Sequence, residues 1–152
     1  MPRLALLLAA LGALAACRTV PSLPPANFAE PGWTVRQGQA VWRLGKDTPE
    51  LAGELLVATN RDGRTLVQFT KTPVPFVVAQ TTAHAWQVDF VPKNKTYSGR
   101  GDPPARVLWL HLARSLDGSP PPKPFAFEKR PEAGWRLENR ATGELISGYL
   151  AP

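Results

Sequence analysis

The sequence predicts an α+β fold: a curved antiparallel sheet of about eight strands, an unclosed half-barrel, wrapped around one central helix. Alternation of apolar and polar residues recurs in short runs, as in Trp86, Val88 and Phe90 against Gln87 and Asp89. The 12 Gly and 17 Pro divide those runs with turns and speak against a helical bundle. A single mid-chain stretch carries apolar residues at helical spacing, and a sheet with one apolar face needs such a cover.

The elements follow in order. Trp33 to Leu44 is rich in Val, Trp and Thr, and Ala40, Trp42 and Leu44 share a face, which predicts a first strand. Glu54–Thr59 and Thr65–Lys71 flank Asn60-Arg61-Asp62-Gly63-Arg64, where Asp-Gly supplies the positive φ of a hairpin. Val74–Thr81 and Trp86–Val91 are the next strands, and the polar, glycine-containing stretch from Lys93 to Gly101 reads as a loop. Asp102-Pro103-Pro104 offers an N-cap and first-turn prolines for a helix through about Leu116. Val107, Leu108, Leu112 and Leu116 recur at helical spacing, and Trp109 and Leu110 widen the stripe. Gly118 ends the helix, and the proline-rich residues 119–124 form a stiff connector. Phe125–Lys129, Gly134–Asn139 and Leu145–Leu150 close the chain as strands joined by turns.

The N-terminus reads as an address. Arg3 precedes a run from Leu4 to Leu14 made only of Leu, Ala and Gly. That run is too short as a helix for the roughly 30 Å hydrocarbon core of a bilayer. It ends in Leu14-Ala15-Ala16-Cys17, which resembles the lipobox of bacterial lipoproteins. Residues 1–16 are then a signal peptide, Cys17 is the lipidated residue, and residues 17–31 with their prolines form a tether ahead of a domain spanning 32–152. The chain has 1 Cys, so lipidation uses the thiol that would otherwise be an orphan in an exported protein. The resemblance implies more than one fatty chain on Cys17, enough for stable membrane attachment. It also implies that Arg18, standing where Asp retains a lipoprotein in the inner membrane, sorts this one to the periplasmic face of the outer membrane.

An exported lipoprotein with strand-rich halves separated by a helix resembles the LolA/LolB group of periplasmic lipoprotein carriers and receptors. Gly53-Glu54-Leu55 opening a strand, and Ser98-Gly99-Arg100-Gly101-Asp102-Pro103-Pro104 leading into Val107-Leu108-Trp109-Leu110, are similar to LolB-like sequences. Trp135-Arg136-Leu137 and Gly148-Tyr149-Leu150 fit the closing strands, so the likeness spans about Gly32 to Leu150. This chain departs from the group in its shorter domain, its fewer strands and the absence of an evident N-terminal helix. The resemblance implies an unclosed barrel around a hydrophobic cavity that takes lipid or lipoprotein acyl chains, and a protruding apolar residue after the third strand, matched best by Val74.

The candidate cavity residues are Trp42, Leu55, Val57, Val67, Phe69, Val78, Trp86, Val88, Phe90, Leu108, Leu112, Trp135 and Leu137. In a domain of this size most of them are expected to fill a core, with any cavity confined to one end. Val74 and Phe76, set among prolines, are the candidate protruding loop, with an edge or bulge as the plainer reading. The formal charge of +6 is scattered over the chain without a dense run, which suits anionic lipid or plain solvation and argues against nucleic acid.

Little in the sequence supports catalysis. No G-x-S-x-G elbow, H-E-x-x-H spacing or paired carboxylates occur, and 2 His with 1 Cys give too few soft ligands for a metal site. His111 among Trp and Leu reads as a packing residue, and Gly99 and Gly101 as turn formers. No enzyme, cofactor or metal is expected, and the protein reads as a monomer. Two functions stay open: a handler of lipid or lipoprotein acyl chains with an apolar cavity, and a lipid-tethered interaction module with a solid interior.

Overall fold

The computed structural model describes residues 22–151. Nine strands form one open antiparallel sheet: β1 (Trp33–Arg43), β2 (Leu51–Asn60), β3 (Thr65–Lys71), β4 (Val74–Thr81), β5 (Ala85–Phe90), β6 (Lys95–Arg100), β7 (Phe125–Lys129), β8 (Gly134–Asn139) and β9 (Leu145–Leu150). A single α-helix, α1 (Trp109–Leu116), lies between β6 and β7. The spatial order β6-β5-β4-β3-β2-β1-β9-β8-β7 comprises two meanders joined where β9 pairs with β1. Strands β6 and β7 are left as free edges, and the chain between them carries α1 over the apolar face against β2, β3, β4 and β5. The class is α+β, with an open curved sheet.

The predicted hairpin forms at Asn60–Arg64. Asn60 N–H donates to the Arg64 carbonyl at 2.9 Å, and Gly63 sits at φ +89°, where a side chain would be strained. Two elements differ from expectation. The stretch read as a polar loop contains β6, which pairs with β5 from Ala85↔Arg100 to Phe90↔Lys95. An edge strand exposed on most of its length has no apolar alternation to betray it.

The helix is also shorter than the sequence suggests. Residues 102–108 stay outside it: Asp102 and Pro103 each precede a proline and are pushed from the helical region, so no helix begins at Asp102-Pro103-Pro104. A turn follows, with Val107 N–H bonded to the Pro104 carbonyl at 3.1 Å, and the helix opens at Trp109. It ends as expected at Gly118, where Ser119 N–H reaches back to the Arg114 carbonyl at 2.9 Å. Six of its residues are buried, Trp109 to Ala113 and Ser115, as befits a helix enclosed by a sheet.

The leader, Cys17 and Arg18 lie outside the described residues. The proposed tether is not free along its whole length. From Ser22 it lies against the sheet, with Ser22 Oγ and Leu23 N–H both donating to Gln87 Oε1 at 3.2 and 2.7 Å, before a turn at Asn27–Glu30. Gln87 belongs to the face of β5 opposite Val88, so this strap covers part of the outer surface. Glu30 then pairs with Arg64 at 2.8 Å, and Phe28 meets Trp33 edge to face at 5.5 Å.

Candidate functional site

The sheet and α1 enclose a solid centre. Leu55, Val57, Val67, Phe69, Val88, Leu108, Leu112 and Leu137 are each no more than 1% exposed, and Trp135 is also buried. Trp42, Phe69 and Trp109 form an aromatic cluster in which the Trp42 and Trp109 rings meet edge to face at 5.2 Å. His111 packs beside Phe125, and its Nε2 lies 3.1 Å from the Pro104 carbonyl, so the tautomer with the proton on Nε2 donates there. Burial holds its pKa below the ordinary histidine value, which favours the neutral ring. Most of the candidate cavity residues therefore belong to one buried core cluster.

Helix length explains where the packing stops. The 8 residues of α1 extend about 12 Å at about 1.5 Å per residue. The 11 residues of β1 extend about 36 Å at about 3.3 Å each. The helix cannot cover the concave face from end to end. At the end formed by the β1–β2, β3–β4, β5–β6 and β8–β9 connections, a cleft of about 320 Å³ remains. Leu51, Phe76, Phe90 and Tyr97 line it together with Trp42, whose other side belongs to the aromatic cluster. A second hollow of about 310 Å³ adjoins it along the sheet edge, sharing Phe90 and Tyr97 and bounded further by Trp86, Val88, Arg106 and Val107.

Local sequence builds these walls. Val77 pairs with Phe69 and Pro75 with Thr70, which leaves Phe76 as the extra residue of a β-bulge. The bulge shifts the alternation of β4 by one: Val77 and Ala79 enter the core and Phe76 packs against its margin. Val78, assigned to the cavity by simple alternation, instead pairs with Gln68 and Asp89 on the outer face. Val74 opens β4 directly after the tight β3–β4 turn and is 45% exposed, at the same end as Leu44 and Val91. On β5, Trp86 lies across Gly99 of β6, where an added Cβ would come within 2.5 Å of the ring; this glycine gives the indole its place.

The cleft has charge on opposite walls. Glu144, the residue before β9, accepts a hydrogen bond from Trp42 Nε1 at 3.1 Å. Burial raises its pKa, with the indole bond opposing, so the neutral carboxyl is favoured over what free solution would give. Across the cleft, Lys93 follows Phe90 in a 3₁₀ turn (Val91–Lys93), and Lys95 opens β6 directly opposite Phe90. Both lysines are exposed.

Of the sequence candidates, Trp42, Phe76 and Phe90 come together at this cleft, while Trp86 and Val88 line the adjoining hollow. Tyr97, Lys93, Lys95 and Glu144 escaped notice. The sequence offered only the turn-forming Pro92 and Asn94 beside the lysines, and the Trp42–Glu144 contact spans too much chain for local patterning to reveal. Among the described residues no group of three or more His, Cys, Asp or Glu side chains is arranged to hold a metal ion. Comparison of the chain with protein-family models, with curated proteins and with solved structures found no match.

Proposed function

We propose that this protein is a lipid-anchored carrier or receptor of the outer membrane, facing the periplasm, that takes an acyl chain of lipid or lipoprotein cargo into the end cleft. The observation that carries the reading is a partly exposed set of aromatic and aliphatic side chains around about 320 Å³, within the roughly 300–1,000 Å³ typical of small-molecule sites. An acyl chain seated there would remove apolar surface from water at roughly 25 cal/mol per Å². Such binding requires neither catalysis nor a cofactor, and the reading is of a monomeric, non-enzymatic protein. The anchor rests on Leu14-Ala15-Ala16-Cys17 behind an apolar run, and the destination on Arg18.

The solid centre favours the second reading, a tethered interaction module, and one titration separates the two. Protein spanning residues 22–152 should take up a long-chain fatty acid saturably with a change in indole fluorescence, and Trp42→Phe should remove most of that response. A folded protein with no saturable uptake would leave the interaction module in place of the carrier. Cys17→Ser should move the full chain from the membrane to the soluble fraction; unchanged fractionation would remove the anchor.

A further inference from the structure

We propose that the end cleft selects a single-chain amphiphile with an anionic head group, the head held at Lys93 and Lys95 and the tail laid over Phe90 and Phe76 towards Trp42; this rests on the acyl-binding reading above. The register supports that orientation. Phe69 pairs with Val77, Val77 with Phe90 and Phe90 with Lys95, so one row of residues crosses β3 to β6 and ends in a cation. Directly opposed residues of an antiparallel sheet share a face, so Lys95 belongs to the same concave face as Phe90. Lys93 reaches the same cleft from the preceding turn.

Among the described residues, neither lysine has a carboxylate within ion-pair distance; the ion pairs present involve Arg36, Arg43, Arg64, Arg130 and Arg136. Asp89, the nearest acid along the chain, is engaged by Thr96 Oγ1 at 2.6 Å and Gln87 Nε2 at 2.9 Å on the outer face. Glu144 marks the opposite wall, where an anionic head would meet a carboxyl and where the indole of Trp42 offers apolar surface instead. The charge distribution therefore gives the ligand a direction. Volume limits it to one chain, since 320 Å³ stands near the bottom of the roughly 300–1,000 Å³ range for ligand sites.

An inward lysine on a free edge strand has a structural alternative, protection against edge-to-edge pairing, and the test must separate the two. Full-length protein in phosphatidylcholine nanodiscs would be photolabelled with a diazirine-bearing long-chain fatty acid or with its methyl ester, and the labelled peptides mapped. The acid should label the Phe76 and Phe90 peptides saturably, with the ester weaker by roughly tenfold, the scale of one charge-assisted contact. Lys93→Glu with Lys95→Glu should abolish the advantage of the acid, and Lys93→Arg with Lys95→Arg should keep it. Both positions are exposed, so a thermal melt should match wild type and exclude misfolding as the cause. Equal labelling by acid and ester, or full labelling by acid in the double Glu variant, overturns the head-group assignment and leaves acyl binding standing. No saturable labelling by either probe overturns the acyl reading and this proposal with it.

Discussion

The middle of the concave face and its open end are lined by the same kinds of side chain, yet one is solid and the other is a cleft. In the middle, Leu112 and Leu108 of the helical segment meet Val57, Phe69 and Leu137, all essentially without exposure. At the end, Phe76, Phe90 and Leu51 pack only on their inner side and Tyr97 stands 48% exposed. Composition does not distinguish the two regions; coverage does, because α1 is about a third as long as β1, the longest strand of the sheet it covers. The opposite end is also incompletely covered, with a hollow of about 320 Å³ lined by Arg36, Leu116, Phe127, Trp135 and Leu150. There Arg36 of β1 pairs with Asp117, the residue capping α1, at 2.6 Å, and ties the helix end to the sheet.

If the middle is structural and the end is a binding surface, substitutions should separate stability from ligand uptake. The largest effect belongs to the middle. Leu112→Ala should cost about 2–5 kcal/mol in a denaturant melt, because a leucine with no exposure leaves a cavity that a close-packed core cannot refill. Leu112→Glu should abolish folding outright, a general loss and not a selective loss of ligand. A Leu112→Ala protein of unchanged stability would mean that the centre is loose and would erase the distinction.

A smaller effect is expected at the end. Phe90→Ala removes a half-buried ring, so the melt should shift by only about 1–2 kcal/mol, while fatty acid uptake falls by roughly tenfold. Equal losses of stability and of binding would make Phe90 a core residue like the rest. The smallest effect concerns Glu144. Burial favours its neutral carboxyl in the folded protein, a contribution complete below the ordinary carboxylate range and lost as pH rises through the raised folded value. Glu144→Gln cannot ionise. Wild type should therefore lose melting temperature relative to this variant as pH rises above the ordinary carboxylate range. A difference that does not change with pH would place the carboxyl in water.

Much of the sheet was legible in the sequence because its signals are local. The Asp62-Gly63 hairpin, the alternation from Trp86 to Phe90 and the stop at Gly118 each depend on neighbours a few residues apart. The misreadings arose where tertiary context overrode the local pattern. A bulge at Phe76 exchanged Val77 and Val78, two consecutive prolines delayed the helix to Trp109, and the polar edge strand Lys95–Arg100 is held by pairing with β5 without an apolar rhythm of its own. The site divides in the same way. Trp42 and Phe90 were visible as large apolar residues on inward faces, whereas Lys95, Tyr97 and Glu144 acquire meaning only once the strands carrying them are set side by side.

A titration of isotope-labelled protein, residues 22–152, with a long-chain fatty acid tests the central claim most directly, that the ligand site is the uncovered end of the sheet and not its covered middle. Amide shifts should concentrate at Leu51, Phe76, Phe90 and Tyr97, with the Trp42 indole N–H moving alongside them and Leu112, Val57 and Leu137 staying still. Shifts centred on Leu112 and Leu137, with the end cleft silent, would contradict the account.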